Sequence, residues 1–380
     1  MQQFMQTISR LHRENYHRHI EEIIQQKQAT GLAYAWDDIE SCRHMKKRLE
    51  SFGFHLQAIF VPGLTEWPAE MDGIPIVPFA EIQSRRIELD VVLLVDHMLV
   101  WMIHEVLQKL GYRTLHLRST DYEQQAYEIM MKHLPEMGEA YSLLADEESR
   151  AVFCAYLLGS YSWSMEDYRF APEAQYMLAG FLPQKGDIAI DGGCYDGQTA
   201  RQFVLCGAKV FSFELDSENY KNCRQLAKTY GFSVENAGLG RARETMAYTP
   251  AGAGSSLQRN GDEMATVIDI DTYLLEHRLP RLDYLKLDVE GAELDTLQGA
   301  VIAISRDKPK MAISAYHKKE DLWQLIQYLH SLRPDYEFSL RHYKIDTRNY
   351  LVDMECERMR QELGLSPWVS TDWELVLYCR

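Results

Sequence analysis

The chain opens on a helical period. Apolar residues Phe4, Ile8 and Leu11, continued by Ile20, Ile23 and Ile24, fall along one side of an amphipathic helix. Behind it, β-rich runs alternate with helical ones, the signature of α/β layering. GLAYAW (31–36), HLQAIFV (55–61), IPIVPF (74–79), DVVLLV (90–95) and TLHLRS (114–119) read as strands, with helices over 39–52 and 98–110. Residues 1–120 are therefore expected to form a small Rossmann-like α/β domain with a leading helix. Residues 121–180 read as a helical connector broken at Pro135 and Pro172.

A second α/β series is expected over 181–380. Its strands fall at 187–192, 209–215, 232–239, 283–289 and 310–316, and its helices at 197–206, 217–230, 292–304 and 320–332. Two further extended runs, 336–343 and 373–379, close the chain. Five βα units followed by two terminal strands predict a class I methyltransferase sheet: seven strands, the last two an antiparallel pair. A dinucleotide-binding domain would end on a parallel sixth strand instead.

Composition narrows the function from outside. A chain of 380 residues with 46% hydrophobic and 11% aromatic side chains can bury enough apolar surface to fold, which excludes disorder. A net charge of −16, with both halves acidic, argues against nucleic acid or an anionic membrane as partner. The longest apolar stretch, Val91 to Ile103, is interrupted by Asp96 and His97 and is too short to span a bilayer. The amino-terminal stretch has no continuous apolar segment of the signal-peptide kind. Seven scattered cysteines without a CxxC pair suit a reducing compartment, so a cytoplasmic location is expected. The leading helix offers an apolar face on which a homodimer could form.

Candidate chemistry begins at IAIDGGCYDGQT (188–199). An apolar strand runs into Asp191, then Gly192, Gly193 and Gly197 precede a helix. Such glycines let the backbone turn sharply and approach a ligand. Glu214 ends the next strand, where a carboxylate can accept from ribose hydroxyls. The dehydrogenase pattern GxGxxG is absent, and an acid before the glycines repels a pyrophosphate but suits a cationic ligand. S-adenosylmethionine, with an ammonium and a sulfonium, fits better than NAD.

A second cluster is DYLKLDVEGAELDTLQGA. Lys286, Asp288 and Glu290 share one strand parity, so they converge at the sheet's carboxyl edge, with Glu293 in the first turn of the next helix. So many charges at a strand end are costly unless something uses or pairs them. His317 follows the fifth strand in AYHKKED and should border the same crevice as Asp191, Glu214 and Asp288. We expect His317 to take the acceptor's proton, oriented by Asp288 or Glu290. A variant of this reading gives Asp288, Glu290 and Glu293 to Mg²⁺.

The strings IDGGCYDGQTARQF, VFSFEL, SVENAGLG, LDYLKLDVEGAELDTLQGA and ISAYHKKEDLW together resemble the FkbM family of S-adenosylmethionine-dependent O-methyltransferases, over residues 181–345. The resemblance implies methylation of a hydroxyl, commonly on a sugar of a glycan or glycosylated metabolite. It implies that Asp191, Gly193 and Gly197 hold the methionine part of the cofactor and Glu214 the ribose, with Asn236 and Ala237 beside the adenine. Gly192, Tyr195, Thr199, Leu215 and Asp288 are further cofactor-binding candidates. Lys286, Asp288, Glu290 and His317 are the catalytic candidates. Tyr195 stands where a third glycine often sits. The competing class is a non-catalytic module that keeps the adenosine pocket as a sensor. Trp163, Tyr168 and Tyr176 in the connector are candidates for stacking on sugar rings.

Overall fold

A computed structural model describes residues 1–13, 30–34, 39–63, 67–95, 98–117, 128–162, 167–249, 256–257, 261, 263–344, 354–365 and 374–380. In the first unit, strands β1 (Thr30–Ala33), β2 (Leu56–Val61), β3 (Glu70–Met71), β4 (Ile74–Pro78), β5 (Val91–Val95) and β6 (Thr114–Leu117) form one sheet in the order β3-β4-β2-β1-β5-β6. All its pairings are parallel except the hairpin of β3 with β4. Helices α2 (Ile39–Ser51) and α3 (Met98–Lys109) belong to the same unit, close to the expected positions.

The second unit contains strands β7 (Ile188–Gly192), β8 (Lys209–Phe213), β9 (Ser233–Glu235), β14 (Tyr284–Leu287), β15 (Lys310–Ser314), β16 (Phe338–His342) and β17 (Leu375–Cys379). Their order, β16-β17-β15-β14-β7-β8-β9, is parallel except at β17, which runs antiparallel to both β15 and β16. This is the seven-stranded, Rossmann-like methyltransferase sheet the element order predicts. The helices α6 (Gln198–Leu205), α7 (Ser217–Tyr230), α9 (Glu293–Gln298), α10 (Val301–Asp307) and α11 (Asp321–Leu332) flank it. Local chemistry fixes their ends. Asp216 caps α7 by accepting from the backbone N–H groups of Glu218 and Asn219, and Gly231 ends it in a left-handed conformation.

Three features differ from the sequence reading. The run 232–239 is split between β9 and a short β10 (Gly238–Leu239), which joins β11 (Glu244–Thr249), β12 (Ser256–Leu257) and β13 (Glu263–Ile268) in a separate four-stranded sheet. A helix, α8 (Ile270–Glu276), follows it, capped by the Asp269 side chain. The helix expected over 292–304 is broken at Gly299, where a Cβ would stand 2.2 Å from the Gly240 carbonyl. That contact requires glycine and interrupts the helix at the crossing.

The third difference concerns what covers the leading helix. In α1 (Gln2–Arg13), Phe4, Ile8 and Leu11 are buried against the core of the second unit, not free for a second copy. Phe4 packs on Tyr141 and Phe153, from α4 (Leu134–Leu143) and α5 (Glu147–Ser162), with ring centroids 5.4 and 6.2 Å away. The stripe that suggested a homodimer is thus satisfied inside the chain; Ile20, Ile23 and Ile24 lie outside the described residues. A reciprocal exchange occurs near the carboxyl end. Helix α12 (Met354–Glu362), between β16 and β17, places Cys356 and Met359 in the core of the first unit. Among the described residues no helix is long and apolar enough to cross a membrane.

Candidate active site

The floor of the site is set by register. Lys286 on β14 pairs directly with Asp191 on β7, and both side chains are buried. The Lys286 ammonium lies 3.2 Å from the Asp191 carboxylate and donates to the carbonyls of Gly192 (3.2 Å) and Gly193 (2.6 Å). Burial works against both charges: it raises the Asp191 pKa against the pull of Lys286, whereas at Lys286 the charges of Asp191 and Asp288 outweigh it and raise the lysine's pKa, which keeps the ammonium protonated. Tyr176 covers the ammonium with its ring, 5.1 Å from the centroid. Asp191 therefore spends its charge on Lys286 beneath the turn and does not border the pocket.

Above this floor the glycine turn folds back on β8. Gly193 and Cys194 both donate to the Phe213 carbonyl, at 2.9 and 3.0 Å. Gly193 has φ 71°, and a Cβ there would stand 1.7 Å from the Asp288 carbonyl oxygen. Tyr195, in the position of the missing glycine, takes φ 48° all the same. Its N–H donates to Glu214 at 2.7 Å, and Asp216 N–H donates to the other carboxylate oxygen at 2.9 Å. Burial raises the Glu214 pKa to about 7 against the pull of these two bonds. The Asn236 amide is turned away, donating to the Glu214 and Leu215 carbonyls at 2.9 and 3.1 Å.

The opposite wall carries a network that the sequence did not reveal. Asp288 accepts from the Tyr176 hydroxyl at 2.8 Å and lies 3.3 Å from the Tyr316 hydroxyl. Tyr176 also meets Ser314 at 2.9 Å. Tyr316 stands 3.2 Å from Glu374, whose second oxygen accepts a short hydrogen bond from Gln175. Burial would raise the Asp288 pKa, but Lys286, His317 and these hydroxyls outweigh it and keep it an anion. Burial and the charge of Asp288 push Glu374 up to about 8.

His317 sits behind this wall. Its Nδ1 is 2.8 Å from Glu293, and its Nε2 is 3.4 Å from Glu290 and 3.6 Å from Asp288. Burial lowers its pKa, but hydrogen bonds to Glu290 and Glu293 and the charge of Asp288 overcome that and raise it to about 11. An imidazole that already carries both protons cannot take another, so the proton-acceptor role expected for His317 does not fit. The Mg²⁺ variant fares no better. The three carboxylates proposed for it, Asp288, Glu290 and Glu293, all face the His317 ring, at 3.6, 3.4 and 2.8 Å. The set whose ligand atoms lie within 4.8 Å of one another, Asp288, Glu293 and His317, includes a nitrogen ligand that suits Mg²⁺ poorly. The cluster is an ion network centred on His317.

The resulting cavity is lined by Gly193, Tyr195, Phe213, Glu214, Leu215, Asn219, Ala237, Gly238, Leu239, Asp288, Val289, Glu290, Ala292, Tyr316 and Glu374. Of the sequence candidates it brings together Gly193, Tyr195, Glu214, Leu215, Ala237, Asp288 and Glu290. Asp191, Gly192, Gly197, Thr199, Asn236, Lys286, Glu293 and His317 are not lining residues. Gly197 instead opens α6 at φ 82°, where a Cβ would press on the Cys223 sulfur at 2.8 Å. Tyr176, Tyr316 and Glu374 are new. Tyr316 adjoins His317 in a string already singled out, and Tyr176 was noticed only as an aromatic; nothing local marks Glu374. Tyr168 packs on Tyr156, Phe170 and His342 instead of facing the cavity, and Trp163 lies outside the described residues.

Residues 191–363 match the family model described as Methyltransferase FkbM domain. Among solved structures, the methyltransferase FkbM of Methylobacillus flagellatus KT shares the fold at TM-score 0.63 and 21% identity, covering 95% of this chain and 93% of that one. Precorrin 8w decarboxylase of Methanobacterium thermoautotrophicum aligns at TM-score 0.31 and 14% identity over 52% of this chain and 82% of that one. A methyltransferase of Streptococcus mutans described in complex with SAH aligns at TM-score 0.27 and 13% identity, over 52% and 90%. No curated protein matches the chain significantly.

Proposed function

From the premise that residues 191–363 are an FkbM methyltransferase domain, we propose that the chain is an O-methyltransferase that takes its methyl group from S-adenosylmethionine. Its acceptor is a hydroxyl of a sugar, in a glycan or a glycosylated metabolite. The observation that carries the cofactor reading is the lining of the cavity. Among the described residues it presents four carboxyl groups, Glu214, Asp288, Glu290 and Glu374, and no Lys, Arg or His. A pyrophosphate would be repelled there, whereas a ligand bearing ammonium and sulfonium charges is attracted. The hydroxyl acceptor and its sugar rest on the family resemblance.

The residues fit that ligand in kind. Gly193 brings backbone to the cavity wall where any side chain would collide with Asp288. Glu214 is fixed by two backbone N–H groups and keeps lone pairs for ribose hydroxyls. Ala237 and Leu239 supply apolar surface for a base. Asp288 is held anionic and oriented by Tyr176 and Tyr316. S-adenosylmethionine supplies the transferable methyl on sulfur; the protein's part is to hold the acceptor oxygen in line, which at best is worth roughly 7–11 kcal/mol.

The test is incubation of the full chain with S-adenosylmethionine and a panel of mono- and oligosaccharides, reading S-adenosylhomocysteine and a mass gain of one methylene on the acceptor. Methylation of a sugar hydroxyl is the expected result. Cofactor binding with no transfer to any acceptor would favour the sensor, and failure to bind the cofactor would overturn the reading.

A further inference from the structure

We propose that Glu374 takes the acceptor's proton, and that it is made ready by the entry of a sulfonium cation, which displaces the proton Glu374 carries in the empty pocket. This rests on the reading of the cavity as an S-adenosylmethionine site. The argument starts from hydrogen counting. The Tyr316 hydroxyl stands between two carboxyl groups, 3.3 Å from Asp288 and 3.2 Å from Glu374. A phenol has one proton to donate, so it cannot satisfy both groups as anions. Asp288 has the stronger claim, because Lys286, His317 and the Tyr176 hydroxyl all stabilise its charge.

Glu374 is therefore the neutral member. Because the single Tyr316 proton goes to Asp288, the 3.2 Å contact between Tyr316 and Glu374 must be filled by a proton on Glu374, while Gln175 donates to the second Glu374 oxygen. The charged and titratable groups facing it are Asp288, Tyr316, Tyr176 and His317. Burial and Asp288 put its titration at about 8, close enough to neutrality that one added cation reverses its state.

The chemistry then balances. An oxygen lone pair of the acceptor forms the O–CH₃ bond, the C–S bond breaks with its electron pair staying on sulfur, and the hydroxyl proton passes to Glu374. Sulfonium plus glutamate becomes sulfide plus glutamic acid, so the pocket holds no net change in charge. The proton leaves for solvent when the next sulfonium enters.

Titration calorimetry on the full chain at pH 7, in two buffers of different ionisation enthalpy, reads the released proton without any acceptor. Wild-type protein should release close to one proton (~0.9) more on binding S-adenosylmethionine than Glu374→Gln does. With S-adenosylhomocysteine, whose sulfur is neutral, the two proteins should agree. Tyr316→Phe removes the oxygen that accepts the proton of neutral Glu374, so its release profile should move to lower pH. It serves if Glu374→Gln does not fold. Equal release by wild type and Glu374→Gln, or an unmoved Tyr316→Phe profile, would overturn the proposal. If neither ligand binds wild-type protein, it is the cofactor reading that fails.

Discussion

Both large sheets reverse their winding at their first strand: β1 lies between β2 and β5, as β7 lies between β8 and β14. In open α/β sheets that reversal opens a crevice at the carboxyl edge. The two sheets fill it with different chemistry. Among the described residues of the first sheet itself, Thr30 is the one buried polar side chain, and the core beneath is aliphatic and aromatic apart from Arg360 of α12, which sits on helix α3 and donates to its Met102 carbonyl. The second sheet buries Asp191, Glu214, Lys286, Glu293 and Glu374 around its edge, and holds Tyr176, Tyr195 and Glu290 at positive φ beside them. Topology thus offers two crevices, while buried charge and backbone strain, both costly to maintain, mark one of them.

The sharpest way to break this comparison is with a methyl group. In Gly193→Ala the new Cβ would stand 1.7 Å from a backbone carbonyl at a positive φ, and neither can move without dismantling the turn. We expect a loss above about 4 kcal/mol and no detectable cofactor binding. The counterpart in the first sheet is Gly31→Ala on β1, which meets only the end of the Leu89 side chain at 2.6 Å. Repacking one leucine should cost about 1 kcal/mol and leave cofactor affinity unchanged. Thermal unfolding and calorimetric titration of both variants check this.

Next in size is the removal of a buried cation. Lys286→Met leaves Asp191 buried without its partner, which should cost about 3–5 kcal/mol, largely recovered in the Asp191→Asn/Lys286→Met double variant. Arg360→Met removes an equally buried cation from the first unit's core. The nearer of its two carboxylate partners among the described residues, Glu105, keeps half its side chain in water and the other, Glu357, stands 3.8 Å away, so only about 1–2 kcal/mol should be lost. Denaturant midpoints of the three variants decide it, and equal losses would contradict the distinction.

A more gradual effect is expected from pH. His317 has a folded pKa raised to about 11, so its stabilisation is complete below about 6.5 and is lost as pH rises toward 11. Glu214, Asp321 and Glu374, raised to about 7, 7 and 8, also bind a proton more tightly when folded. Their contribution is likewise lost as pH climbs from the ordinary carboxyl range to 8. Both groups act in the same direction, each by at most about 1.4 kcal/mol per pH unit. Amide exchange, corrected for intrinsic rates, should show β7, β14 and β15 weakening from pH 5 to 8 while β1 and β5 stay level. The described groups of the first unit with displaced pKa values, Arg43 and Lys46, are surface cations that titrate far above this range.

How far the sequence reaches follows from the same contrast. Strands whose side chains are buried on both faces, such as 188–192 and 284–287, are legible as continuous apolar runs. The four-stranded sheet was missed because β11 and β13 are largely exposed and carry no such run. Asp288 and Glu214 were legible because a strand end beside a glycine turn has a predictable place. Glu374 was not: it reaches the pocket only because β17 inserts antiparallel beside β15, some 180 residues after Gly193 in the chain. Amphipathicity showed that α1 has an apolar face, but not that α4 and α5 cover it.

The smallest predicted effect separates stability from function most cleanly. Asn236 donates to two backbone carbonyls at the end of β8, and Tyr112 similarly staples the backbone of the first unit, donating to the Ile87 carbonyl at 2.9 Å. Asn236→Ala and Tyr112→Phe should each cost about 1 kcal/mol, the usual net worth of such bonds. Only the first touches the segment that carries Glu214. If Glu214 binds the ribose, loosening its main chain should weaken cofactor binding by about 5- to 10-fold, whereas Tyr112→Phe should not change it. Parallel melting curves and titrations give four numbers. Equal stability losses with unequal affinities would show that the second crevice is distinguished by what its backbone positions. Equal affinities would mean that the carboxylate's own two backbone bonds suffice to hold it, and that Asn236 serves the fold alone.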